Sequence, residues 1–335
     1  MKKAIVLTLT VLFLSAALSG CGGDFAVEII NNGAAVEITE YRGSSTDVSI
    51  PARIRNLPVT RISFRAFARR GLASVIIPDS ATHIGEEAFW CNRLSNVIIP
   101  GSVTHIGSSA FACNQLTSIS IPDSVTDIGK RAFANNQLPS IIIPDSVTDI
   151  GERAFTNNQL TSISIPASVT DIGDQAFASN QLTSISIPAN VMHIGDQAFA
   201  NNHLTSISIP DGITRIDGAF ADNQLTSVII GNSLTHIVDE VFSRNQLTIV
   251  SIPYRVTHIG VRAFADNHLS SVIIPDSVMR IGDGAFANNQ LTSISIPESV
   301  TYIGMSAFLR NQLTSVTIPD SVTDIGICRQ STNQC

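Results

Sequence analysis

The chain has 335 residues, of which 14% are charged and 44% hydrophobic, and a formal net charge of −7. That length is enough to bury a large core, but the acidic balance argues against general nucleic-acid binding. So low a charged fraction suits a stacked array, whose units cover one another, better than a single compact globule.

In chain order, Lys2 and Lys3 precede an uninterrupted, mostly apolar stretch from Ala4 to Ala17. It is too short to span a bilayer and reads as a signal-peptide core, residues 1–20. Leu18-Ser19-Gly20-Cys21 follows at once and resembles the bacterial lipobox. That resemblance implies cleavage before Cys21 and a diacylglycerol on its thiol. It places the protein in the bacterial cell envelope, lipid-anchored at the outer membrane or cell surface. Each buried acyl methylene adds roughly 0.8 kcal/mol of membrane affinity. Losing the two lysines takes the net charge from −7 to −9. Residues 21–49 are read as the anchor followed by a cap. Two alternating runs, Phe25 to Ile30 and Ala35 to Thr39, flank Asn31-Asn32-Gly33, which is a hairpin signal. A solenoid needs its open end covered.

From residue 50 to 326 one unit recurs. Phenylalanine returns at twelve positions from Phe67 to Phe308, every 22 residues except for the 21-residue step from Phe199 to Phe220. The short step lies in Ile216-Asp217-Gly218-Ala219, which replaces a pattern like Ile194-Gly195-Asp196-Gln197-Ala198. The unit from Leu116 to Gln137 has three pieces. In the first run Ile119 and Ile121 alternate with Ser118 and Ser120, the period of a strand with one buried face. Pro122 stops it, because proline offers no N–H to a ladder. The second run, Val125-Thr126-Asp127-Ile128, is shorter and ends at Gly129. Lys130-Arg131-Ala132-Phe133 then suggests one tight helical or 3₁₀ turn. No unit folds alone. Stacked in register, the first runs become a parallel sheet spaced about 4.8 Å, and the phenylalanines an internal spine. The last residues, 327–335, form a degenerate, truncated repeat. A Cys328–Cys335 bridge or a frayed end both fit it.

The motifs Ile-Pro-Asp-Ser-Val-Thr-x-Ile-Gly-x-x-Ala-Phe and Asn-Gln-Leu-Thr-Ser-Ile resemble the leucine-rich-repeat family in its bacterial BspA-like branch. The resemblance implies a right-handed solenoid of about twelve coils, with a parallel sheet on one face and short strands and tight turns on the other. It also implies a surface protein that binds macromolecules, often as an adhesin. The expected partners are a host or bacterial surface protein or an extracellular-matrix component, with the membrane reached through the anchor. Ser124 stands where the commonest leucine-rich repeat places an asparagine.

Four surface features are candidates for function, each readable also as a solvated face. The outward residues of the first run form a hydroxyl strip through Ser118, Ser120, Ser162, Ser164, Ser184, Ser186, Ser206 and Ser208, broken by Ile76, Ile98, Ile142, Ile229 and Ile273. This strip is the expected ligand platform. The position before Ile-Gly carries five of the seven histidines, His83, His105, His193, His236 and His258, with Asp127, Asp149 and Asp171 in the same column. Stacked imidazoles and carboxylates suit cations, but no residue is assigned as a metal ligand. Arg53, Arg55, Arg61, Arg65, Arg69 and Arg70 gather near the anchor, suited to anionic lipid headgroups or to an acidic polysaccharide. Cys91 and Cys113 share a position 22 residues apart and are either a disulfide or two thiols. Enzyme signatures are missing, and no cofactor is implied. A carbohydrate or peptidoglycan ligand finds one Trp and three Tyr to stack on. A purely structural envelope role remains the other alternative.

Overall fold

The computed structural model describes residues 23–326. Cys21, Cys328 and Cys335 lie outside them. Phe25–Ile30 and Ala35–Tyr41 form an antiparallel hairpin closed by a 3₁₀ turn over Asn31–Gly33. Asn31 and Asn32 take the left-handed backbone (φ 53° and 54°), which asparagine tolerates better than most residues. Ala35–Tyr41 then pairs in parallel with Leu57–Ile62, the second run of the first coil. Phe25 and Tyr41 set their rings on Phe67, at centroid distances of 6.2 and 5.4 Å. The hairpin thus continues both the sheet and the spine.

The array is a parallel β-solenoid of about 13 coils of about 22 residues. Its spine is the phenylalanine column. Phe67 through Phe286 are buried, and the ring centroids of successive coils lie 5.1 to 6.1 Å apart. Burying each ring contributes about 2–3 kcal/mol. Leu116, Val125 and Ile128, and their equivalents, fill the rest of the interior.

Which run makes the sheet differs from the reading of the sequence. The continuous ladder is built by the second run. An eleven-stranded sheet runs from the hairpin to Arg215–Ile216, and a five-stranded one from His236–Ile237 to Asp324–Ile325. The first run pairs only in patches, such as Asn96–Ile98 with Ser118–Ser120 and Ser206–Ser208 with Ser227–Ile229. Glycine explains the preference. A Cβ added to Gly151 would lie 2.6 Å from Ile128 O, so only glycine lets successive coils close at that point. Gly151 N–H then donates to Ile128 O at 3.0 Å, and Thr148 N–H to Thr126 O at 3.0 Å. The first run carries a side chain at every position and has no such closure.

The expected helical or 3₁₀ turn is also replaced. Among the described residues the array contains no helix. Arg131 and Asn135 are left-handed, each with φ 55°. Every second amide turns to the next coil: Arg131, Phe133 and Asn135 N–H donate to Glu152, Ala154 and Thr156 O at 2.8, 2.9 and 3.0 Å. Those bonds between coils take amides that a helix would use internally.

Candidate binding surfaces

The eight serines of the expected platform are all exposed. Their alternation with inward Ile119, Ile163, Ile185 and Ile207 follows from the period of an extended chain. The apolar interruptions stand far out of the surface: Ile98 is 75% exposed, Ile142 83%, Ile229 68% and Ile273 80%. Ile249, which the serine pattern hides because it sits two positions earlier in its run, is 65% exposed. The strip therefore has two apolar islands, around Ile98 and Ile142 and around Ile229, Ile249 and Ile273. Between them lies a stretch carrying Ser164, Ser186 and Ser208.

The column before Ile-Gly lies on the outer face of the continuous ladder. Its register is direct: Asp127, Asp149, Asp171, His193 and Arg215 pair in succession. The rings of His83 and His105 stack at 4.7 Å, and so do those of His236 and His258. Thr82 Oγ1 donates to Thr60 O at 3.0 Å and lies 2.8 Å from His83 Nδ1. Burial pushes His83 below the ordinary histidine range, and Arg61 and His105 push the same way. His258 is lowered by burial, then by His236 and Arg280. His193 lies between two carboxylates, with Nδ1 2.9 Å from Asp171 and Nε2 3.2 Å from Asp217. Among the described residues no group of three or more ligating side chains is arranged around a common centre.

At the hairpin end the arginines are mostly engaged. Arg69 lies 4.3 Å over the Trp90 ring, and Arg65 stacks on Phe64 and Trp90 and pairs with Glu87. Arg70 reaches Glu40 at 2.9 Å. Cys91 and Cys113 are joined as a disulfide, with Cα atoms 4.4 Å apart.

One set of residues escaped the sequence reading. Asn136 and its equivalents from Asn92 to Asn289 are buried, and each ties its own coil to the preceding one at three backbone groups. Asn136 Oδ1 accepts Leu116 N–H at 3.0 Å, while Nδ2 donates to Phe111 O and Phe133 O at 3.0 and 3.1 Å. The signal was available: asparagine recurs at this place in every coil from Asn92 to Asn311, while its neighbour varies from Cys91 to Ser179 to Arg244. Ser146 also bridges coils, donating to Val125 O at 2.6 Å.

The model of the BspA type leucine rich repeat region (6 copies) matches residues 41–159, 109–219 and 217–328. The chain belongs to this family. The BspA-type leucine-rich-repeat solenoid is a protein-interaction scaffold. Among solved structures it is similar to a leucine-rich repeat protein from Bacteroides ovatus, at 24% identity and a TM-score of 0.62, covering 90% of this chain and 89% of that one. It is also similar to the pneumococcal vaccine antigen PcpA, at 18% identity and a TM-score of 0.51, covering 90% and 91%. A leucine rich cell surface protein from Faecalibacterium prausnitzii matches at 25% identity, with a TM-score of 0.48 and coverage of 93% and 95%. No curated protein matches the chain.

Proposed function

We propose that this BspA-type protein is a lipid-anchored adhesin of the bacterial surface, which captures a protein partner on its serine strip. The partner is a surface protein of the host or of another bacterium, or a component of the extracellular matrix. The exposed isoleucine islands carry this reading. A side chain such as Ile142, standing alone in water, gains about 1.5–3 kcal/mol when a partner covers it. Contiguous exposed apolar patches mark interfaces. The serines between the islands supply small hydrogen-bonding groups that allow close approach.

The test is a solid-phase assay of the protein against coats of fibronectin, laminin and collagen and against whole host cells. Retention on at least one coat, abolished by Ile142→Ser with Ile229→Ser and by Glu at Ser164, Ser186 and Ser208, supports the platform. Retention unchanged by all of these substitutions overturns it. The anchor is tested separately. Cys21→Ala should move the protein from the membrane fraction to the soluble fraction, and protease should shave the unaltered protein from intact cells. The uniform Ser164, Ser186 and Ser208 stretch favours a second reading, a structural spacer, which predicts no retention on any coat.

A further inference from the structure

The repeat is interrupted once within the array, and the interruption opens a groove. In regular coils the residue after the second-run isoleucine is glycine, because a Cβ would strike the preceding backbone, as Gly173 would strike Glu152 N at 2.6 Å. Val238 holds that position in the coil after the 21-residue one. Asp217 holds it in the 21-residue coil itself and still donates its amide to Ile194 O at 3.0 Å. The ladder stops one step later, where the shortened coil meets the coil that carries Val238. Arg215–Ile216 ends the eleven-stranded sheet, and His236–Ile237 begins the five-stranded one. Elsewhere the same coils stay joined. Ser206–Ser208 pairs with Ser227–Ile229, and Phe220 N–H donates to Val241 O at 3.1 Å. Phe220 and Phe242 remain stacked, at the widest separation in the spine, 6.1 Å.

The groove that results has a volume of about 850 Å³. Two sheet edges face each other across it, with backbone N–H and C=O groups that a closed ladder would consume. Its banks differ in charge. By position in the coil, Asp174, Asp196, Asp239 and Asp283 form one bank, two residues after the second-run isoleucine, and His193, Arg215, His236, His258 and Arg280 form the other, in the column before it. In the second bank His193 and Arg215 are paired with carboxylates, His193 with Asp171 and Asp217. Arg280 lies 4.2 Å over Tyr302, and Arg215 pairs with Asp217 at 2.8 Å. The carboxylate bank has charge to spare. Asp174, Asp239 and Asp283 each accept the amide of the equivalent residue one coil on, from Asp196, Val261 and Met305 at 2.9, 2.7 and 2.7 Å. The missing residue is the one that would donate to Asp196. Burial, then Asp174, Asp217 and Glu240, push the Asp196 carboxyl above its ordinary value, so a cation placed there relieves repulsion already present.

We propose that this groove binds an extended lysine- or arginine-rich segment of a partner polypeptide, its cations on the aspartate bank and its backbone on the open sheet edges. This site goes beyond the serine strip, lies on another face and stands independently of it. A peptide fits better than a lone cation: Asp174 and Asp196 stand one coil apart and Asp239 and Asp283 two coils further each, about 5 and 10 Å at the coil spacing, so that cations spread along an extended chain, with side chains on one side about every 7 Å, can reach several of them.

Fluorescence anisotropy with labelled octalysine, and octaglutamate as control, tests it on the full chain. Two variants separate the groove from the protein's general acidity. One inserts a serine between Asp217 and Gly218 together with Val238→Gly, restoring the 22-residue unit without changing net charge. The other is Asp196→Asn with Asp239→Asn, which keeps the acceptor for Val261 N–H. Octalysine should bind the unaltered protein and octaglutamate should not. The charge variant should lose about tenfold in affinity, and the insertion variant at least as much while melting cooperatively. Ile142→Ser with Ile229→Ser should leave octalysine binding unchanged, so that failure of the strip and failure of the groove are told apart. No octalysine binding, equal binding of octaglutamate, or affinity retained by both groove variants would overturn the proposal. If the insertion variant does not fold, the charge variant decides.

Discussion

The coils around Ile128, Ile150 and Ile172 and the coil around Ile216 share a core but not a backbone. In the first group the ladder, the asparagine column and the phenylalanine spine all pass from coil to coil. At Ile216 the ladder stops, yet Asn245 still accepts Leu225 N–H at 3.0 Å and donates to Phe220 O at 3.0 Å. One residue fewer and two glycines replaced, by Asp217 and Val238, are enough to part the strands, and not enough to part the interior. Spine and ladder are therefore separate restraints. The spine follows from apolar burial, which is non-directional and forgiving of small shifts. The ladder depends on close contact between backbones and fails where the shortened coil meets the coil that carries Val238.

The largest test of that separation is in the spine. Phe177→Ala should cost about 3–5 kcal/mol, measured by urea unfolding. Phe220→Ala, beside the wider 6.1 Å gap, should cost measurably less, since its ring has looser company to lose. Equal losses would mean that the break does not reach the core. Next come the asparagines. Asn180→Ala strands Leu160 N–H and takes from the carbonyls of Phe155 and Phe177 one of their two asparagine donors, leaving Asn158 and Asn202, at about 1–3 kcal/mol. Asn245→Ala should cost at least as much, because it removes one of the few remaining ties across the parted coils. Glycine is the third lever. Gly151→Ala should cost about 1–3 kcal/mol and speed hydrogen exchange at the Thr148 and Gly151 amides. Val238→Gly should slow exchange in its own coil.

The smallest effect is in pH. His83 and His258 are both held below the ordinary value, so the folded chain binds fewer protons than the unfolded one. Their contribution is present above the unfolded pKa of about 6.5 and is lost as pH falls below it. The melting temperature should drop between about pH 7.5 and about pH 5.5, and His83→Gln with His258→Gln should flatten that drop. An identical slope in the variant would remove the stacked imidazoles from the explanation.

The period, the coil shape and the inward set were legible because apolar residues recur without ambiguity at Phe133, Ile121 and Ile128. Placing the main sheet on Ser118–Ser120 misled for a physical reason. Alternation of Ile119 and Ile121 is a strong strand signal, whereas Asp127-Ile128 is two residues long. Gly129 was read as a terminator rather than as the point of backbone contact. The asparagine column was hidden by its company. In Asn135-Asn136-Gln137 two identical neighbours have opposite fates, one exposed and left-handed, the other buried and bonded across two coils. Polar residues in a turn read as solvated until their partners are seen. The exposed isoleucines were visible as breaks in a serine pattern. What Val238 does to the ladder became visible only once its glycine equivalents were seen against the backbone above them.

The asparagine column has a consequence for how this molecule can change size. Asn158 reaches back to Phe133 O and receives Leu138 N–H, as Asn180 does with Phe155 O and Leu160 N–H. One coil therefore offers its neighbours nearly the same top and bottom as the next. A whole turn cut out or duplicated between such coils leaves matching surfaces on either side, so the rod can shorten or lengthen in quanta of one coil. A cut that crosses the parted strands at Ile216 and Ile237 has no such freedom.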